Sequence, residues 1–347
     1  MFFSKRQTIL FIALLCSGFY SAWAQPHFPE NYRPIREYIE QTMWDLPEIP
    51  EEYIDVGLWA LVIAKEFDPE VDIESNLQSL DSMAAEINRM LAGRDKDIEK
   101  TSMTRTFLYE SGVWNNHHPF TYDLDDPLGK RPENQLLNSY LTSRKGNCLS
   151  MPVLFIALME RLDPDVPFHA VRAPLHLFCR LRDRQNGDIW NVETTNGGHP
   201  ARNQWYIETL NIPQKAIDSG LYLQDLTKKE LLADLLQPLI YKYRVKEDYA
   251  TALKYADLAL QIDSTSTVGL VSKGALYACL GYNIAEKARN EQRSLTPSDR
   301  IKVNRYKMQS KKYIDIAIAR GWQPETQEQQ RDYLSTIRKQ KEKKESN

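Results

Sequence analysis

Arg144-Lys145-Gly146-Asn147-Cys148-Leu149-Ser150-Met151, followed at once by Pro152-Val153-Leu154-Phe155-Ile156-Ala157-Leu158-Met159, sets a cysteine at the mouth of an apolar helix. Proline lacks a backbone donor and fits a first helical turn, where those donors have no partner, so the helix starts near Cys148 to Met151. Unpaired N–H groups and the positive end of the helix dipole favour thiolate over thiol there. A cysteine so placed is either a small core residue opening a helix or a nucleophile. The segment from Pro174 to Thr195 weighs toward the nucleophile.

In it, Pro174-Leu175-His176-Leu177-Phe178-Cys179-Arg180-Leu181-Arg182 and Ile189-Trp190-Asn191-Val192-Glu193-Thr194-Thr195 flank a polar stretch containing Asn186-Gly187, which reads as a β-hairpin. Strand alternation puts His176, Phe178 and Arg180 on one side and Leu177, Cys179 and Leu181 on the other, so Cys179 reads as structural. The turn decides whether His176 meets an acid. A two-residue Asn186-Gly187 turn pairs Glu193 with Arg180, roughly 13 Å from His176 at about 3.3 Å per residue. A four-residue loop, Asp183 to Asn186, puts Glu193 opposite His176 instead. Asn191 shares that face and is the reserve candidate. Cys, then His, then an acid or amide supplies nucleophile, general base and orienter.

Arg-Lys-Gly-Asn-Cys opening a helix, Pro-Leu-His-Leu-Phe opening a strand and Trp-Asn-Val-Glu-Thr-Thr on the next resemble the core of the bacterial transglutaminase-like superfamily, in the subgroup that joins this core to tetratricopeptide repeats. The resemblance implies Cys148 as nucleophile, His176 as base and Glu193 at an acidic position that is usually Asp. Glu is one methylene longer. It also implies a helical lead-in, matched by Ile54 to Met90 and by the segments Phe107 to Trp114 and Asn138 to Leu141. Asn147 and Asn191 are further candidates for contacting substrate or an oxyanion, and Trp114, Asn116 and Tyr122 for the rim. His117-His118 has no companion ligand at metal-binding spacing and reads as a polar loop, so no metal or other cofactor is implied.

Beyond this core the chain becomes repetitive. Tyr249 to Asp263 carries Ala252, Ala256 and Ala259 on one helical face, and in 34-residue steps the register that puts Leu236, Leu239 and Tyr243 in the first helix of one repeat puts Leu270, Gly274 and Tyr277 in that of the next. That register puts Gly281 at a turn between helices. After Ala288 the match fades, leaving Asp299 to Gly321 as a capping helix. Two or so repeats are fewer than a free-standing solenoid needs, so they are expected to pack on the core.

At the start, Lys5-Arg6, the apolar stretch Thr8 to Leu15 and Ala22-Trp23-Ala24 before Gln25 have the three parts of a secretory signal peptide cleaved after Ala24. The stretch is too short to span a bilayer. Removing it takes the net charge from −3 to about −5, which indicates neither a nucleic-acid surface nor a strongly basic membrane patch. Cys148, Cys179 and Cys279 remain, an odd number that excludes a disulfide scaffold and leaves a free thiol in an oxidising compartment.

The organisation read from the sequence is therefore a signal peptide at 1–24 and a transglutaminase-like domain with helical lead-in at 25–228. Tetratricopeptide-like repeats with a capping helix occupy 229–322, and a polar helix or tail 323–347. The fold class is an α+β papain-like or transglutaminase-like core joined to an all-α domain. The expected function is that of an exported, periplasmic or secreted thiol enzyme, a cysteine peptidase-like hydrolase or acyltransferase acting on a peptide or protein amide. Peptidoglycan stem peptides are one substrate class to consider. The alternative is a non-catalytic scaffold that binds a protein partner through the repeats beside an inactive cleft. Nucleic acid is not an expected partner, and the mature chain has no expected transmembrane segment.

Overall fold

The computed structural model describes residues 42–328, 331, 334 and 335, so the leader and most of the polar tail lie outside the described residues. The organising element is the helix Ser150–Leu162 (α5), whose residues from Ser150 to Arg161 are all buried. A helix apolar on every side must be surrounded. Its jacket is Val56–Phe67 (α1), Ile73–Leu91 (α2), Asp97–Tyr109 (α3) and Leu137–Ser143 (α4), together with a sheet. Charges fix its far end: Glu160 accepts from the Val56 backbone N–H and pairs with Lys228 at 2.7 Å, and Arg161 pairs with Asp81 at 3.0 Å and Asp55 at 3.4 Å. Such buried pairs add little net stability, but losing one partner strands the other, so they lock the jacket to one register.

Thr121–Tyr122 (β1) and Lys145–Gly146 (β2) form a short parallel pair beside the start of α5. The main sheet is antiparallel throughout, in the order Phe168–Ala173 (β3), His176–Arg182 (β4), Ile189–Glu193 (β5) and His199–Ala201 (β6). The alternation expected for β4 holds. Leu177, Cys179 and Leu181 join the main core, where Phe155 of α5 stacks on Phe168 with ring centres 5.0 Å apart. Phe178 faces the other way, into a smaller core with Val171, Ala173, Tyr206, Ile212, Ala216 and Leu221. That core is roofed by Asn203–Thr209 (α6) and Gln214–Asp218 (α7).

Neither hairpin register expected from the sequence is the one adopted. Arg182 pairs with Ile189, leaving a six-residue loop, Asp183 to Asp188, closed by the Asp183 N–H donating to the Asp188 carbonyl at 2.9 Å. Tertiary contacts override the Asn-Gly turn. The Arg184 side chain pairs with Asp97 and Asp163, and Gln185 accepts from the Asp97 N–H at 3.0 Å, pinning the loop to the start of α3.

The C-terminal part is helical: Lys228–Asp234 (α8), Gln237–Val245 (α9), Tyr249–Ile262 (α10), Thr267–Asn290 (α11) and Pro297–Ala319 (α12). Ala252, Ala256 and Ala259 are buried, and one apolar cluster runs from α1 and α5 through Leu231, Leu236 and Leu239 to Tyr255 and Leu276. The turn expected at Gly281 is absent, because α11 continues through that position without a break. A Cβ on Gly274 would stand 2.7 Å from Ile314, so Gly274 lets α12 lie down on α11, whereas one on Gly281 would meet Tyr306 at an ordinary 3.7 Å. Tyr277 stacks on both Tyr306 and Tyr313, at 6.0 and 6.1 Å. At the far end of α12, Trp322 packs into the smaller core, and Gly321, at φ +98°, abuts Ala216 where a Cβ would come within 2.6 Å of its backbone nitrogen.

Candidate active site

Cys148 owes its position to Asn147. The Asn147 Oδ1 accepts from the backbone N–H groups of Leu149 at 2.9 Å and Ser150 at 3.2 Å, while Ser150 Oγ accepts from the Asn147 N–H at 3.1 Å. This reciprocal cap satisfies the start of α5. Its carbonyl oxygen is committed to the helix and its side chain is buried, so Asn147 builds the corner on which Cys148 stands. The Met151 N–H goes to the Asn147 main-chain carbonyl, which leaves the N–H of Cys148 itself as the backbone donor for an oxyanion. Gly146 is required two residues earlier, since a Cβ there would lie 2.6 Å from the Tyr140 ring.

His176 opens β4 directly after the Pro174-Leu175 turn, where Ala173 pairs with His176 across the hairpin. Leu175 has φ +51°, a left-handed conformation that carries a strain on the order of 1–3 kcal/mol for a side chain of this kind. The turn brings the Leu175 carbonyl to 3.6 Å from Cys148 Sγ, which sets the thiol against the residue just before His176. His176 Nε2 faces Glu193 Oε2 at 2.8 Å, which leaves Nδ1 as the ring nitrogen not engaged by the carboxylate.

The observed register explains why glutamate serves here. Arg180 pairs with Asn191 and Cys179 with Val192; continuing that register puts Glu193 across from Phe178, one diagonal step from His176. Diagonal neighbours on one sheet face stand about 7–8 Å apart at Cα, a gap a long side chain covers. Glu193 reaches across it. Its carboxylate accepts four hydrogen bonds: His176 and the Tyr206 hydroxyl, at 2.7 Å, donate to Oε2, and the Thr195 N–H and hydroxyl, at 3.0 and 2.6 Å, donate to Oε1. Burial alone would raise its pKa, but these donors and the imidazolium charge bring it down to about 2. Burial would likewise depress His176, yet the Glu193 charge, with hydrogen bonds to thiol and carboxylate, holds the imidazolium up to about 10. A thiol, an imidazole in the next segment of chain and a fixed anion behind the ring are the residue types that nucleophilic attack on a carbonyl needs.

The other candidates are placed elsewhere. Asn191 belongs to a buried network: its Oδ1 accepts from Arg180 Nε at 2.8 Å and its Nδ2 donates to the Ala201 carbonyl and Asn203. It does not serve His176. Tyr122 donates its hydroxyl to the Pro127 carbonyl at 2.8 Å, and Trp114 folds over Gly112 and packs against the main core. Both belong to the surrounding wall. Asn116 and His117 adopt left-handed backbone, and the Asn115 and His118 carbonyls accept from the Arg144 side chain, as befits a tied polar loop. Cys179 is fully buried, 3.7 Å from the Pro152 carbonyl, and burial together with Glu193 pushes its thiol well above the ordinary range.

No sequence motif marks Tyr206 or Thr195. Thr195 lies two residues after Glu193, the spacing of a local side-chain-to-backbone turn, and that signal is available to a closer reading. Tyr206 sits on α6 with no pattern linking it to the triad. It is placed by stacking on Phe178 at 4.0 Å.

Residues 74–237 match the sequence model of the transglutaminase-like superfamily, a span that contains Cys148, His176 and Glu193. No curated protein and no solved structure matches the chain.

Proposed function

We propose that this protein is a thiol-dependent acyl-transfer enzyme, exported from the cytoplasm, that hydrolyses a peptide or protein amide. The observation that carries the reading is the 2.8 Å contact between His176 and a four-fold hydrogen-bonded Glu193, set beside Cys148 at the start of α5. The match of residues 74–237 to the transglutaminase-like superfamily supports it.

In this mechanism Cys148 Sγ attacks the substrate carbonyl carbon, and its proton resides on His176 Nδ1. The tetrahedral oxyanion accepts from the Cys148 N–H. His176 then donates that proton to the leaving amine as the C–N bond breaks, leaving a thioester on Cys148 and neutral imidazole. Water adds to the thioester as His176 takes its proton; collapse releases the carboxylic acid and returns the proton to sulfur. A lysine amine in place of water gives a cross-link by the same steps. Glu193 keeps a proton on Nε2 throughout, so that Nδ1 is the nitrogen that accepts and donates.

The test is site-resolved alkylation by iodoacetamide at neutral pH, read by mass spectrometry, with turnover of a peptide library in parallel. The expected result is fast modification of Cys148, slow modification of Cys179 and Cys279, and turnover abolished in a folded Cys148→Ala protein. Labelling of Cys148 no faster than Cys279, and unaffected by His176→Ala, would sink the mechanism. A scaffold that binds a partner through α8–α12 would then be the better account.

A further inference from the structure

A whole-chain charge of −3 conceals a strong local segregation. Helix α12 carries six cations, Arg300, Lys302, Arg305, Lys307, Lys311 and Lys312, against two acids, Asp299 and Asp315. Asp299 is turned back onto its own helix cap and Arg293, and Asp315 pairs with Lys311. The face of α12 that meets α11 is spent on Val303, Tyr306, Ser310, Tyr313, Ile314 and Ala317.

The opposite face bears Ile301, Met308 and Ile316, which are 69, 71 and 40 % exposed, with Arg305 and Lys312 between them. The sequence ends on a further basic run, Arg338, Lys339, Lys341, Lys343 and Lys344 against Glu342 and Glu345. A helix closing a helical array normally shows a polar outer face, because nothing packs on it. This one interleaves apolar residues with cations on its solvent-facing side.

We infer that the outer face of α12 docks the protein on a membrane surface rich in anionic phospholipid. Cations there meet headgroup phosphates, and Ile301, Met308 and Ile316 enter the boundary between headgroups and acyl chains, the arrangement that holds a basic amphipathic helix in the interface plane. A purely polyanionic partner would satisfy the lysines and arginines and leave the apolar residues in water. The inference is independent of the proposed chemistry, since it involves no residue of the Cys148 site.

The experiment is flotation of the full chain with vesicles of neutral phosphatidylcholine or of phosphatidylcholine with phosphatidylglycerol, at low and high salt. Binding is expected only with the anionic lipid and is expected to fall steeply with salt. Combining Lys302→Glu, Arg305→Glu and Lys312→Glu should weaken it by about tenfold or more, as near-surface cations each add to the attraction. Ile301→Ser with Met308→Ser keeps every charge and should also weaken it. All five substituted positions are exposed, but Arg305 and Lys312 also lie over the Tyr306 and Tyr313 rings, so thermal melts must show both variants folded before binding is compared, and the serine pair, which touches neither ring, carries the test on its own. Equal binding to neutral vesicles, no binding, or wild-type binding by both variants would overturn the inference. Capture by heparin with no capture by anionic vesicles would also overturn it, identifying a general polyanion surface.

Discussion

Strand β4 has two faces built on opposite rules. On the side toward α5, Leu177, Cys179 and Leu181 are held by apolar packing and shape. On the other side the polar residues have dedicated partners: His176 has Glu193, and Arg180 has Asn191, Asn203, Asp225 and the Leu223 carbonyl. Apolar contacts are non-directional and tolerate exchange at constant volume, whereas hydrogen-bonded charges in a buried setting fail once a partner is lost. One strand thus gives the core its bulk and the site its geometry.

The contrast is sharpest at Arg180. Arg180→Ala leaves Asp225 without its most buried counter-charge and should destabilise by about 3–5 kcal/mol in urea unfolding. Leu181→Ala, one residue on and facing the core, should cost about 2–5 kcal/mol through its cavity. In molecules that remain folded it should leave the alkylation rate of Cys148 at the wild-type value. If Leu181→Ala slowed labelling as much as it lowered stability, the two faces would not be separable.

At the site itself, His176→Ala should slow alkylation of Cys148 roughly a hundredfold at neutral pH, the scale of a lost proton-transfer partner, and should also lower the melting temperature, because it leaves the buried Glu193 carboxylate without its counter-charge. The ion pair also predicts a pH dependence of stability. His176, raised from about 6.5 in the unfolded chain to about 10, contributes stability that is complete below pH ~6.5 and disappears as pH rises through about 10. Glu193, lowered to about 2, contributes above its unfolded value of about 4.3 and loses that contribution as pH falls toward 2. The urea midpoint should therefore drop between pH 7 and 10, and Glu193→Gln should flatten that drop. An unchanged slope in Glu193→Gln would mean that other groups carry the alkaline transition.

Tyr206→Phe is the mildest change. It removes one donor from Glu193 Oε2 while keeping the ring on Phe178, and should cost on the order of 1 kcal/mol. The freed oxygen is a stronger acceptor for His176, so the imidazole should titrate at higher pH by NMR. A purely structural tyrosine would leave that titration in place.

Much of this is legible in the sequence because local rules suffice for it. Pro152 after Cys148 announces a helix start, and period-two alternation sorts β4 onto its two faces. What is not legible depends on distant residues. The hairpin loop is six residues long because Arg184 and Gln185 are held by Asp97, 87 and 88 positions away in the chain. Gly281 suggests a turn by repeat arithmetic, but α11 runs through it unbroken, and it is Gly274, two turns earlier, whose missing side chain makes room for α12. Asn147 reads as a substrate contact by its place next to the cysteine, whereas the nearest unsatisfied groups are the N–H donors of its own helix. Tyr206 reaches Glu193 through stacking on Phe178, which leaves no trace in spacing.

The close approach of Gly321 to Ala216 has a consequence in time. Hydrogen bonds between Ser219 and Arg320 cross the same junction, and Trp322 completes the cluster that seats Tyr206 behind Glu193. A chain that emerges from its N-terminus has Cys148, His176 and Glu193 available when little more than half its length is out, yet the wall behind them stays open until residues 320–322 arrive. Assembly of the site is thereby tied to delivery of residues 320–322, and a product terminated before them ends with its smaller core exposed to water.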